Sequence, residues 1–213
     1  MENPIIFAAE IVGTIAFASS GAMLGIRKNL DLFGVLVLGL CVAVGGGIVR
    51  DIILGLTPPG AFKNPSYALV ALGTSILLFL VVYIKQEILN SGYLLIYERI
   101  MNYCDAVGLG IFTVVGVYTA YSQGYRGKFF LIFLGMLTGI GGGIIRDVLA
   151  DTLPFILYKH IYAVAALIGA FVCAMLIGRH LYLAMGAGTA VIILIRLLAS
   201  RFCWDLPRPL HEK

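Results

Sequence analysis

Charge is what this sequence lacks most. Only 12% of its 213 residues are Asp, Glu, Lys or Arg, and 61% are hydrophobic, where a soluble domain runs at roughly 25% charged and 45 to 50% apolar. So few polar groups cannot cover a surface, which excludes a soluble globular domain and indicates an integral membrane protein. The formal charge of +4 is modest, and the basic residues fall in short clusters between apolar runs, so nucleic-acid binding has no support. Metal and redox chemistry are equally short of material. Cys41, Cys104, Cys173 and Cys203 have no ligand spacing, and three of them fall in apolar segments where a thiol acts as a small hydrophobe. His160, His180 and His211 lie at expected loops or in the tail, with no second His or Cys at ligand spacing. No disulfide framework, no cofactor and no metal beyond a transient monovalent cation are expected.

Catalytic signatures are missing as well. The chain has no phosphate-loop lysine, no His-Glu-x-x-His and no credible Ser-His-Asp set, and Gly139-Ile140-Gly141-Gly142-Gly143 lacks the spacing and βαβ context of a dinucleotide loop. An enzyme is not expected. The opening Met1-Glu2-Asn3-Pro4 is no basic n-region, and the apolar run behind it has about the length of a full span, so the first segment is expected to be retained.

Long apolar runs are what the sequence has instead. They fall at 4–26, 32–54, 66–84, 103–121, 128–150, 161–178 and 181–199, which predicts an all-α membrane protein of about seven transmembrane helices. Pro4 opens the first helix and Arg27-Lys28 closes it, Asp31 caps the second, Pro58-Pro59 stops it, and Pro65-Ser66 starts the third. Segment 85–102, with Lys85, Gln86, Glu87, Asn90, Ser91 and Gly92, forms the joint between two halves. The tail 200–213, with Trp204, Pro207 and Pro209, is an interfacial anchor and a frayed end. With the amino terminus outside, Arg27, Lys28, Lys85, Arg99, Lys159, Arg201, Arg208 and Lys213 face inward, against Lys63, Arg126, Lys128 and Arg179 outward. That bias of about two to one predicts an inner (cell) membrane protein with a cytoplasmic carboxy terminus.

Within these runs one phrase occurs twice. Gly45-Gly46-Gly47-Ile48-Val49-Arg50-Asp51 returns as Gly141-Gly142-Gly143-Ile144-Ile145-Arg146-Asp147, each time followed by a proline, Pro58 or Pro154. A glycine inside a helix costs about 1 kcal/mol relative to alanine, and an Arg-Asp pair in hydrocarbon costs several more unless paired or wetted. Close helix packing alone would account for one triplet, and it is the reading adopted for Gly21/Gly25, Gly135/Gly139 and Gly186/Gly188. A second triplet with Arg-Asp at the same offset favours a permeation or binding site.

A shift of about 95 residues also aligns Phe17–Gly21 with Phe112–Gly116 and Tyr67-Ala68 with Tyr162-Ala163. The chain thus reads as one transmembrane domain with repeat 1 at 4–84, repeat 2 at 103–178 and an unpaired last helix at 181–199. Three crossings separate each helix from its copy, so the repeats are inverted, an architecture that places sites near the midplane at broken helices. The second and fifth helices are expected to kink at Gly-Gly-Gly and to free backbone groups there, which only protein or a water-filled cavity can satisfy. Gly46 and Gly142 come out roughly 5 Å past the middles of their helices and should nearly meet; Arg50 and Arg146 come out roughly 10 Å from the midplane in opposite directions. Neighbours on a helix point about 100° apart, so Arg50 with Asp51 is expected to pair poorly. Glu10 and its counterpart Asp105 lie at matching depth, giving the predicted pairs Arg50 with Glu10 and Arg146 with Asp105. Arg196 is expected to snorkel to the headgroups, and Lys128, Lys159 and Arg179 form either an anionic-lipid site or a solvated rim.

Paired Gly-Gly-Gly-x-x-Arg-Asp motifs on the second and fifth of seven helices, with Phe17–Ala22 and Asp105-Ala106-Val107-Gly108-Leu109, resemble the prokaryotic branch of the TRIC (trimeric intracellular cation) channels. That family also carries the label glycine transporter. The resemblance covers residues 5–199 and implies a homotrimer with one pore per protomer, conducting monovalent cations, chiefly potassium, past kinked helices. By the same resemblance Gly45, Gly46, Gly47, Arg50, Asp51, Gly141, Gly142, Gly143, Arg146 and Asp147 carry the ion pathway and its gating. Animal members use a basic cluster near the kink for phosphoinositide lipids, and no equally clear cluster stands in this sequence. The residues leave a second function open: a secondary transporter of a small zwitterion such as glycine, with Arg on the carboxylate and Asp on the ammonium.

Overall fold

A computed structural model describes residues 3–84, 94–157, 161–202 and 204. Lys85 to Gly92 of the expected joint, Lys159, His160, Cys203 and the tail beyond Trp204, with Arg208, His211 and Lys213, lie outside the described residues.

The described chain is helical: α1 (Pro4–Arg27), α2 (Leu32–Ile53), a single turn α3 (Gly60–Lys63), α4 (Ser66–Ile84), α5 (Leu94–Ser122), α6 (Lys128–Leu149), a short 3₁₀ turn (Phe155–Leu157), α7 (Tyr162–Leu176) and α8 (Leu181–Phe202). The starts follow local chemistry. Asn3 caps α1, accepting from the N–H of Ile5, with Pro4 in the first turn where its missing donor does no harm. Asp31 caps α2 by accepting from the N–H of Gly34 at 2.7 Å. Among the described residues, six helices are long and apolar enough to cross a membrane. The sixth expected span is the exception: α7 has 15 residues, about 22 Å against a hydrocarbon core of about 30 Å.

α5 starts at Leu94, well before the expected 103, and takes in much of what the sequence suggested was a polar joint. Its first turns are held by tertiary contacts that polarity alone does not reveal. The Tyr97 hydroxyl donates to the Met23 carbonyl at 2.6 Å, and Glu98 pairs with Arg27 at 2.7 Å, tying α5 to the end of α1.

The centre is built from four helices, α1, α2, α5 and α6, packed against one another. Phe17 of α1 and Phe112 of α5, counterparts in the two repeats, stack with ring centroids 5.2 Å apart. Each ring lies over the other helix's glycine, Phe17 over Gly108 and Phe112 over Gly13. α2 and α6 cross beside them. α8, with no counterpart in the first repeat, packs against α5 and α7.

Candidate functional site

The two glycine triplets meet where α2 crosses α6. A methyl group on Gly46 would overlap the Thr138 carbonyl oxygen, one on Gly142 the Val42 carbonyl oxygen, and one on Gly141 would lie 3.2 Å from the Gly46 Cα. Both helices nevertheless run unbroken through their triplets, so the loss of the helical ladder expected from sequence is not found. Close backbone-to-backbone approach, which only glycine permits, offsets the poor helix propensity.

Arg50 and Arg146 each bond to the aspartate that follows. Nε donates to the carboxylate at 2.8 Å in Arg50–Asp51 and at 2.8 Å in Arg146–Asp147. This corrects the expectation of a poor neighbour pair: the Cβ bonds diverge, but the flexible arginine stem folds Nε back. The second oxygen of each aspartate reaches forward past the proline, Asp51 accepting from the N–H of Gly60 at 2.7 Å and Asp147 from the N–H of Phe155 at 2.8 Å. The Arg-Asp phrase is therefore a clasp between a helix end and the turn beyond it. Asp51→Ala should leave α2 intact while opening this turn, read as faster hydrogen exchange at Gly60 than in the wild type; unchanged protection there would refute the clasp.

Beyond the clasps the two ends differ. Glu10, Arg50, Asp51 and Tyr67 line a cavity of about 320 Å³ together with Lys63 and Thr119. Glu10 accepts a hydrogen bond from the Tyr67 hydroxyl at 2.6 Å. The space narrows toward Thr14, Gly47 and Phe112. At the other end Arg146 is fully buried, as are Asp105 and Asp147 at 1% exposure each. Its Nη1 bonds Asp105 and the Ser20 hydroxyl, and its guanidinium lies 4.7 Å from the Phe155 ring centroid. A desolvated guanidinium thus sits between two carboxylates, a hydroxyl and a ring face, while its buried Nη2 makes no hydrogen bond.

Arg196, expected at the headgroups, is 3% exposed, with its guanidinium 4.7 Å from the Tyr162 ring centroid. The ring face supplies the site that snorkelling would have sought in the interface. Cys41, Cys104 and Cys173 are free thiols.

Sequence reasoning did not single out Ser20, Phe155 or the Phe17–Phe112 stack. The repeat alignment held a signal for the phenylalanines and for Tyr67 and Tyr162. It held none for Ser20, whose counterpart is the apolar Val115.

Comparison with known proteins agrees with this duplicated architecture. A family model described as Glycine transporter matches twice, at residues 7–83 and 102–178. The chain is 40% identical to the UPF0126 inner membrane protein YadS of Escherichia coli over 206 residues, 95% of each chain. It is 39% identical to a UPF0126 membrane protein of Deinococcus radiodurans over 197 residues, 92% of this chain and 87% of that one. Among solved structures, a prokaryotic TRIC channel in 0.5 M KCl superposes with a TM-score of 0.85 at 34% identity, covering 95% of this chain and 98% of the other. The TRIC trimeric intracellular cation channel orthologue from Rhodobacter sphaeroides gives 0.83 at 34% identity, covering 95% and 100%. With its helical membrane fold and its matched pair of Arg-Asp clasps, this multi-pass membrane protein belongs to the prokaryotic TRIC channel family, whose sequence model is described as glycine transporter.

Proposed function

We propose that the chain is a channel for monovalent cations, potassium foremost, with one pathway in each protomer of a homotrimer. It sits in the inner membrane with the amino terminus outside and the carboxy terminus in the cytoplasm, crossing seven times with α7 as the short span. It is a transport protein and not an enzyme. The pathway starts in the cavity at Glu10, Arg50 and Asp51, follows the α2–α6 crossing at Gly45, Gly46, Gly47, Gly141, Gly142 and Gly143, and leaves past Asp105, Arg146 and Asp147. The observation that carries this reading is the pair of charged sites at opposite ends of that crossing, one opening on a cavity of about 320 Å³. The likeness to solved cation channels supports the same conclusion.

In this reading the structure is a closed state, blocked by the Phe17–Phe112 stack and by the packed Arg146 cluster. Conduction requires α2 and α6 to bend or part at the triplets, where small residues make movement least costly. Carboxylate and carbonyl oxygens then replace part of the ion's hydration shell.

Purified protein in a planar bilayer should show unitary current steps without added solute, reversing near the potassium equilibrium potential under a potassium gradient opposed by sodium. Saturable glycine uptake with no current steps would overturn the channel and favour the zwitterion transporter.

A further inference from the structure

The cavity of about 320 Å³ has four charged side chains in its lining: Glu10, Arg50, Asp51 and Lys63. Three of them recur at the packed end as Asp105, Arg146 and Asp147. Lys63 is the addition, and it stands on the single turn α3. The clasp fixes where that turn begins. Asp51 accepts from the Gly60 N–H at 2.7 Å, and the Gly60 carbonyl in turn accepts from the Asn64 N–H at 3.0 Å.

Summed over the four, the lining is neutral, but the charges are not equivalent. Arg50 and Asp51 have side chains 10% and 3% exposed and bond to each other at 2.8 Å, so beyond the pair their fields largely cancel. Glu10 accepts from the Tyr67 hydroxyl, a neutral donor that leaves the carboxylate its charge. What an arriving ion meets is therefore Glu10 set against Lys63, which is exposed. A carboxylate by itself would draw cations into the cavity according to their valence, a divalent ion with twice the energy of a monovalent one. We infer that Lys63 is a specificity-determining residue of the pathway: its ammonium offsets Glu10 in the cavity lining, which keeps divalent cations from settling there and holds monovalent entry to a moderate rate. The inference rests on the channel reading above.

Single-channel recording of Lys63→Gln separates this from a structural role, because an electrostatic effect depends on salt and on the side from which ions enter. In about 0.01 M salt, where screening extends about 30 Å, potassium current entering from the cavity side should rise about threefold, the scale of one unit charge acting over roughly 6 Å of water. Current in the other direction should change less. In 1 M salt, with a screening length of about 3 Å, the rise should disappear. Magnesium added on the cavity side at low salt should inhibit Lys63→Gln at about a tenth of the wild-type concentration, since the double charge squares the factor. Lys63→Glu should double both shifts on a logarithmic scale. Arg126→Gln removes the same charge from an exposed residue whose Nη1 is bonded to the Tyr121 and Tyr125 carbonyls, and it should shift neither quantity. Magnesium inhibition of Lys63→Gln at the wild-type concentration overturns the inference, as does an equal shift in Arg126→Gln or a rise in current that persists in 1 M salt. These results would leave the channel standing; absence of any unitary current in the wild-type protein removes the channel reading, and the role of Lys63 with it.

Discussion

Asp105→Ala should destabilise the protein by about 3 to 5 kcal/mol, the range for removing one partner of a buried ion pair. Arg146 has no exposed surface, and its side chain is gripped by Asp105, Asp147 and Ser20 with no opening to solvent. Without Asp105 its Nη1 keeps only a hydroxyl, and water cannot reach the remaining donors without prising α5 from α6. Arg146→Ala should lose as much, because two carboxylates are then left facing one another in a dry site. The repeat provides an internal control. Arg50→Ala removes a similar clasp from Asp51, but the Arg50 side chain is 10% exposed and borders the cavity, where water can replace it. The Asp51 carboxylate also keeps its bond from Gly60, so the loss should be about 1 kcal/mol. Thermal unfolding in detergent, followed by the fraction remaining monodisperse, measures the contrast. Equal losses for Arg146→Ala and Arg50→Ala would refute the view that one end is packed and the other wet.

The glycine triplets should divide in the same way, residue by residue. At Gly46 a methyl meets the Thr138 carbonyl oxygen and at Gly142 the Val42 carbonyl oxygen, both backbone atoms that cannot rotate aside. Gly46→Ala or Gly142→Ala therefore has to push α2 and α6 apart, at about 3 kcal/mol, the upper end for overpacking. Gly47 is different: a methyl there would meet only the Arg50 Nη2, at 3.8 Å. Gly47→Ala should keep or improve stability, by up to about 1 kcal/mol from helix propensity. Because Gly47 lines the narrow end of the cavity, the same change should lower unit conductance. A folded Gly47→Ala protein with unaltered conductance would place the ion path elsewhere. Similar stability losses at all three positions would mean that the triplets act through helix propensity and not through the crossing.

Most of the fold was legible because membrane helices announce themselves by length. Every expected run has a helix under it, and the proline, aspartate and arginine signals lie at or close to the observed ends of α1 and α2. The start of α5 was not legible, since its stabilising contacts, from Tyr97 to Met23 and from Glu98 to Arg27, join residues distant in sequence. The Arg-Asp phrase was legible as a costly feature needing partners, and matched depth led to Asp105 for Arg146; at the other end it proposed Glu10 for Arg50, where the bonds seen join Glu10 to Tyr67 and Arg50 to Asp51. Its clasp geometry was not, because helix periodicity describes where Cβ bonds point and says nothing of how far an arginine stem can fold back. Arg196 was misplaced for a related reason. Proximity to a helix end suggests the interface, and only the packing of α7 beside α8 reveals a ring face nearer by.

Ser20 has a consequence for the history of the chain. It belongs to the first copy but serves the second, its hydroxyl oxygen accepting a hydrogen bond from Arg146 of the other copy. The equivalent place in the other copy holds Val115, which can return no such bond. The duplicated halves are thus no longer interchangeable: a gene made by doubling the second half would set valine where Ser20 stands and lose this contact, whereas one made by doubling the first would keep the serine.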